Sequence, residues 1–330
     1  MTRNRERALV TGGAGFVGSH LCAQLLDNGA TVLALDNFAT SEPDNLGLLL
    51  ARPGFEFIRH DVTEPCPDIG SVDTVFQLAS AASPPDYLRL PLETLRAGSL
   101  GTTHALEVAE RHGARFVLAS TSEVYGDPAV HPQPESYWGH VNPVGPRSVY
   151  DEAKRYAEAL TTAYRRARGT DTAIARIFNT YGPRMRADDG RMVPTFISQA
   201  LSGAPLTIAG TGDQTRSLCY VEDTIRGLCA LAESGLPGPV NLGNPHELSV
   251  RSLAEEIRAA VGSRSPLVYV DGAVDDPQRR CPDITLAHRD LGWQPVVART
   301  EGLRRTIEWF AARTVIPAPP VRSAAARPLP

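Results

Sequence analysis

The chain has 330 residues, 42% of them hydrophobic, and a formal net charge of −4. That is enough apolar material for a sizeable core, in one large domain or two sharing an interface, while the acidic balance and the lack of any block of like charge exclude an electrostatic footprint for nucleic acid. No apolar run approaches the ~20 residues of a membrane span, and the basic start Met1–Arg7 leads into glycines, so the sequence predicts a soluble, cytoplasmic protein with small-molecule partners and no membrane partner.

Through the first half, short β-branched runs alternate with amphipathic stretches. In chain order they are "RALVT", a helix from about Gly15 to Asn28, "TVLAL", "FEFIR", "VDTVFQLA", a helix over Glu93–His112, "RFVLAS", a helix over Tyr150–Arg168, and "TAIARI". Strands separated by helical patterns build βαβ units and a doubly wound parallel sheet of the α/β class. Beyond it lie Gly-, Pro- and Arg-rich loops with helices near Val193–Ser202, Glu222–Ser234, Ser249–Val261 and Thr300–Ala312. "GPVNLGN" (238–244) has the pattern of a strand returning to the sheet, so the smaller second lobe is discontinuous. Residues 1–180 are expected to form the first domain and 181–312 mainly the second, with a Pro/Ala/Arg-rich tail, 313–330, predicted disordered.

The five cysteines, Cys22, Cys66, Cys219, Cys229 and Cys281, are odd in number and form no C-x-x-C, which indicates neither a disulfide framework nor a zinc site. His131 and His140 stand in a Pro-rich loop at a poor spacing for ligation, and no metal is expected.

"ALVTGGAGFVGSHL" places glycines directly after the first strand and at the opening of a helix. Gly13, Gly15 and Gly18 satisfy G-x-G-x-x-G, and Gly12, Gly15 and Gly18 the wider G-x-x-G-x-x-G. Either way, residues without Cβ let the backbone approach a pyrophosphate that the helix N-terminus stabilises. Asp36 ends the second strand roughly 20 residues later, where a carboxylate accepts ribose hydroxyls and repels a 2′-phosphate. The predicted cofactor is therefore NAD. Asp61, after the third strand, either contacts the adenine or solvates its loop.

"RSVYDEAKR" (147–155) gives Tyr-x-x-x-Lys, with Tyr150 and Lys154 one helical turn apart on one face. An ammonium and a cationic nicotinamide nearby stabilise a tyrosine phenolate, and the pair suits removal of a hydroxyl proton as hydride leaves the same carbon. A further polar cluster, Thr121, Ser122 and Glu123 in "STSEVYG", ends the apolar run "ARFVLA".

From about residue 7 to 312 the sequence resembles the extended short-chain dehydrogenase/reductase family and, within it, the UDP-glucuronic acid decarboxylases. The blocks that carry this are "STSEVYGDP" (120–128), "HPQPESYWGHVNPVGPRSVYDEAKR" (131–155), "RIFNTYGPRM" (176–185), "DDGRMVPTFI" (188–197), "GDQTRSLCYVED" (212–223) and "RRCPDIT" (279–285). The resemblance implies a Rossmann domain with a substrate-binding lobe and a homodimer through the helices over Glu93–His112 and Tyr150–Arg168. It also implies cofactor contacts at Gly12, Gly15, Phe16, Val17, Asp36, Asn37, Asp61, Val62, Leu78, Tyr150 and Lys154. Thr121 is expected beside Tyr150 at the sugar's C4 hydroxyl, with Ser122 and Glu123 facing C5 and its carboxylate. Asn179, Arg191, Arg216 and Arg280 are expected at the UDP-sugar, with Arg216 and Arg280 at its diphosphate.

The implied reaction oxidises C4, loses carbon dioxide from the resulting β-keto acid, protonates C5 and returns the hydride, giving UDP-xylose. Related 4,6-dehydratases and 4-epimerases are the nearest alternatives, and a non-catalytic NAD-sensing or scaffold protein is the alternative of another class. Dehydratases acting on dTDP-glucose typically carry aspartate at the Ser122 position, and a serine is far too weak an acid to protonate a departing hydroxyl. Thr-Ser-Glu also resembles GDP-mannose dehydratases, so the flanking blocks decide for the decarboxylase. Two positions depart from the family pattern: Gly98, where an asparagine is usual, and Ala209, where an aromatic residue is usual.

Overall fold

The computed structural model describes residues 6–272, 277 and 279–314, so most of the expected disordered tail lies outside the described residues. From the amino terminus, β1 (Arg7–Thr11) leads into α1 (Phe16–Asp27), followed by β2 (Thr31–Asp36), β3 (Phe55–Arg59) and β4 (Thr74–Gln77). The helix expected over 93–112 follows a short helix that periodicity does not predict, α2 (Pro84–Arg89), and runs without interruption as α3 (Pro91–Arg96), a π-helical turn at Ala97–Gly101 and α4 (Thr102–His112). Pro84 and Pro91 open new helices because proline suits a first turn and not an interior. The π turn contains Gly98, which lies against Ala153. Next come β5 (Arg115–Thr121), a 3₁₀ turn at Ser122–Tyr125, α5 (Ser148–Arg168) and β6 (Thr172–Ile177).

The second half carries β7 (Thr180–Tyr181), α6 (Met192–Ser202), β8 (Leu206–Ala209), β9 (Thr215–Ser217), β10 (Cys219–Tyr220) and α7 (Val221–Glu233). It continues with β11 (Val240–Leu242), β12 (Glu247–Ser249), α8 (Val250–Val261), β13 (Leu267–Val270), β14 (Arg279–Arg280), α9 (Thr285–Leu291) and α10 (Arg299–Thr314).

Seven strands form one sheet in the order β11-β6-β5-β4-β1-β2-β3, every neighbouring pair parallel. Successive residues of each strand face opposite sides. Ala8, Val10, Ala34 and Phe76 therefore join one apolar cluster with Leu21 and Leu25 of α1 and Ile225 and Leu228 of α7. Leu9, Leu33, Leu35 and Val75 join the other, with Leu106 of α4 and Ala157 of α5. Both faces are covered, as a parallel sheet requires. The strand order reverses between β1 and β4, which opens a crevice at their carboxyl ends.

The second lobe packs α6 against α8 and continues the first cluster through Phe196, Ile197, Leu253 and Ile257. β8 pairs with β13, and β9 stands between β12 and β14. The last pairing sets Arg280 opposite Arg216.

Candidate active site

A cleft of about 310 Å³ runs along the carboxyl ends of β1, β2 and β4. Gly12, at φ 70°, lies where a Cβ would stand 2.9 Å from the Ala79 backbone nitrogen, and a Cβ on Gly18 would drive into the Gly12 carbonyl oxygen. These two positions let the loop turn back on itself and the helix start tight against it. The N-cap of α1, Gly15, offers no side chain to the first amides, and the first turn holds no acid. An uncapped helix N-terminus facing a cleft suits an anion.

Asp36 closes the far side of that turn. Its carboxylate accepts from Ala14 N at 3.0 Å, Phe38 N at 2.8 Å and Ser41 Oγ at 2.8 Å. Asn37 donates to Asp61 at 3.0 Å, and Asp61 also takes the Thr63 N–H and hydroxyl. Gly12, Gly15, Phe16, Val17, Asp36, Asn37, Asp61, Val62 and Leu78 all line the cleft. A glycine cradle that any Cβ would fill, open helix amides and a strand-end carboxylate together fit a dinucleotide.

A second cavity continues from the first, the two sharing Val17, Leu78, Ser80, Ala82 and Arg191. It holds Thr121, Ser122, Glu123, Tyr150, Lys154 and Asn179. β5 delivers the first three because it ends in a 3₁₀ turn in which Thr121 Oγ1 accepts from Glu123 N at 3.2 Å. The start of α5 brings Tyr150 and Lys154 to the same place. Tyr150 hydrogen-bonds Thr121, and Lys154 Nζ donates to the Ala119 carbonyl at 2.8 Å, 5.9 Å from the Tyr150 ring centre.

Burial pushes the Tyr150 phenol up to about 12, against the lowering effects of its Thr121 hydrogen bond and the Arg191 charge. Burial draws the Lys154 ammonium down to about 8. Burial would raise Glu123 as well, but the charges of Arg280 and then Arg147 overcome it and hold this carboxyl down to about 2. Glu123 accepts from Arg147 at 2.8 Å and from Arg280 at 3.1 Å.

Arg280 also reaches Ser122 Oγ at 3.0 Å and the Gly126 carbonyl at 2.7 Å, from a side chain that is almost fully enclosed. The resemblance places Arg280 at a diphosphate, and the structure sets it against the Ser122–Glu123 pair. Arg216 is buried on the neighbouring strand and its charge reaches Glu123. Arg191 lines both cavities and pairs with Asp189 at 2.7 Å.

Three residues here were not singled out from sequence. Tyr87 stacks on Tyr150, ring centres 5.4 Å apart and planes within 7°. Its signal was the Pro-led helix start "SPPDY". Arg147 sits in the quoted block around Tyr150 but had no role until Glu123 folded onto it. Asp151, next to Tyr150, is buried, and burial and then the Glu123 charge push its carboxyl up to about 7. Away from the site, His131, Glu247 and Cys281 offer atoms within 4.8 Å of one another, with an Arg279 nitrogen 2.7 Å from His131 Nε2. That guanidinium also meets Glu247 at 3.3 Å and makes the group an ion-pair cluster.

Residues 8–243 match the model of the NAD dependent epimerase/dehydratase family. The chain is 52% identical to UDP-glucuronic acid decarboxylase 1 of Xenopus tropicalis over 93% of its own length and 73% of that protein's. It is 50% identical to UDP-glucuronic acid decarboxylase 5 of Arabidopsis thaliana, over 94% of this chain and 91% of the relative. Among solved structures, the UDP-glucuronic acid 4-epimerase of Bacillus cereus in complex with UDP-glucuronic acid and NAD superposes with a TM-score of 0.82 at 28% identity, covering 93% of this chain and 99% of that one.

Proposed function

The chain belongs to the NAD-dependent epimerase/dehydratase family, and we propose that it decarboxylates UDP-glucuronic acid to UDP-xylose with NAD. The observation that carries this reading is identity at about half of all positions, across nearly the whole chain, with UDP-glucuronic acid decarboxylases. NAD, when bound, takes a hydride from C4 of the sugar and gives it back once carbon dioxide has left. Residues 1–180 with the strand near 238–244 serve the cofactor, and 181–312 mainly serve the nucleotide sugar.

In this reading Tyr150 takes the C4 hydroxyl proton as a phenolate, which the positive charge of Lys154 near its ring and that of a bound oxidised nicotinamide would favour against the effect of burial. Loss of the carboxylate from a 4-keto sugar leaves electrons that spread onto the C4 oxygen, where the hydroxyls of Tyr150 and Thr121 donate to it. Glu123, paired with Arg147 and Arg280 and held well below the usual carboxylate range, is not the donor of the C5 proton at neutral pH, and a water molecule is the donor in this reading. Arg280 and Ser122 position that end of the sugar, and Asn179, Arg191 and Arg216 hold the nucleotide, guanidinium forks suiting its diphosphate.

A homodimer is part of the proposal, supported by exposed Leu88, Leu92, Leu95, Leu100 and Tyr156 on α2, α3, the π turn and α5. No helix among the described residues is long and apolar enough to cross a membrane. All five cysteines are free thiols, which supports a reducing, cytoplasmic compartment.

The test is incubation of the purified chain with UDP-glucuronic acid and NAD, the product being identified by NMR and mass spectrometry. UDP-xylose is expected from the wild type and none from Tyr150→Phe. A product that keeps its carboxylate would replace this reading with simple epimerisation.

A further inference from the structure

The loop between β7 and α6 carries three arginines, two of them matched by acids. Arg186 meets Asp86 at 3.1 Å and Asp188 at 3.0 Å, and Arg191 is bound to Asp189. Arg184 has no carboxylate partner among the described residues, and its Nη1 is buried without any hydrogen-bond acceptor. Yet the backbone holds it at φ 70°, a conformation that side-chain-bearing residues rarely adopt and that persists where the surroundings enforce it.

Those surroundings are the glycine loop. Asn45 donates to the Ala14 carbonyl at 3.1 Å and to the Arg184 carbonyl at 3.4 Å, tying the two segments together. His20 of α1 holds the Pro183 carbonyl at 3.0 Å, and burial and then the Arg184 charge draw this imidazole down to about 4, so it is neutral at pH 7. Arg184 lines the cleft with Gly12 and Gly15. A half-buried guanidinium without a counter-charge is costly, and the uncapped amides of α1 in the same cleft suit an anion.

We propose that Arg184 is a cofactor-binding residue whose counter-charge is the diphosphate of the dinucleotide, held jointly by this guanidinium and the glycine loop. The proposal rests on the NAD-dependent reading above. Arg96, on the same cleft wall, lies exposed on α3 and has solvent to satisfy it.

The test is calorimetric titration of the full chain, freed of cofactor, with NAD, ADP and adenosine. Arg184→Met should weaken NAD and ADP about tenfold to a hundredfold, the range of a lost charge-assisted hydrogen bond, and leave adenosine unchanged. Arg184→Lys should recover part of the loss. Arg184→Gly, which suits the left-handed backbone, should show the same pattern as Arg184→Met and stands in for it if that variant fails to fold. Unchanged NAD and ADP affinity would overturn the assignment, as would an equal loss for adenosine, since that marks a purely structural residue. A wild type that binds none of the three would instead remove the NAD reading itself, and Arg184's role with it.

Discussion

The Arg280 guanidinium stands 3.1 Å from the Glu123 carboxylate, joining residues 157 positions apart across the boundary between the two lobes. Arg280 is almost fully enclosed, and its two terminal nitrogens serve three acceptors. Removing one partner of a buried ion pair costs about 3–5 kcal/mol, because the other is left uncompensated. Arg280→Met should therefore lower the melting temperature and reduce kcat at least ~100-fold as the Ser122–Glu123 pair loses its anchor. Arg280→Lys should recover only part of this, since one ammonium cannot span the same acceptors. Wild-type kinetics in Arg280→Met would place the residue outside the reaction.

The glycine loop, Asp36, and the Tyr150–Lys154 pair were legible in the sequence because each is set by local spacing on one strand or one helical turn. What makes Glu123 a permanent anion was not legible: Arg147 and Arg280 meet it only after α5 and β14 have folded around β5. Tyr87 escaped for the same reason, reaching Tyr150 by packing between elements far apart in sequence. The short strands β7, β9, β10 and β14 hold two or three residues each, too few to show a period of two. The π turn at Ala97–Gly101 also left no mark in the periodicity, because the chain stays helical on both sides of it.

Gly98 is a fitted position in this chain. A Cβ there would stand 2.7 Å from the Ala153 Cβ and 2.9 Å from its carbonyl oxygen. Installing the asparagine usual in the wider family should therefore destabilise the protein by about 1–3 kcal/mol, the ordinary cost of overpacking. Adding Ala153→Gly should recover some of it, not all, because the backbone oxygen remains. Urea denaturation of Gly98→Asn and the double variant checks this, and a stabilised single variant would show the helices free to separate.

Asp151 makes stability depend on pH in a defined direction. Its folded carboxyl titrates at about 7, raised by burial and then by Glu123 against the opposing charges of Arg147 and Arg280, whereas the unfolded value is about 3.9. Between those two values the folded state binds more protons, so stability falls as pH rises through about 4 to 7 and stays reduced above. Asp151→Asn should thus raise the melting temperature little near pH 4 and most above pH 7. Scanning calorimetry of both proteins across that range tests it, and a pH-independent difference would assign the titration elsewhere.

Loss of carbon dioxide before the hydride returns implies a specific isotopic outcome. If carbon dioxide leaves from a 4-keto sugar, the electrons rest on an enolate, and C5 must take its new hydrogen from an exchangeable source. C4 must instead recover the hydride it gave away. In heavy water, ordinary UDP-glucuronic acid should yield UDP-xylose with one deuterium at C5 and none at C4, read directly by NMR. A 4-epimerase would keep the carboxylate and acquire no deuterium through simple hydride return. A dehydratase would lose water from a hexose. Because Glu123 is already deprotonated, Glu123→Gln should slow the reaction by perturbing the Arg147 and Arg280 charges while leaving the C5 deuterium in place. Deuterium at C4 would mean that the returned hydride came from outside the bound cofactor, and the closed cycle proposed here would have to be given up.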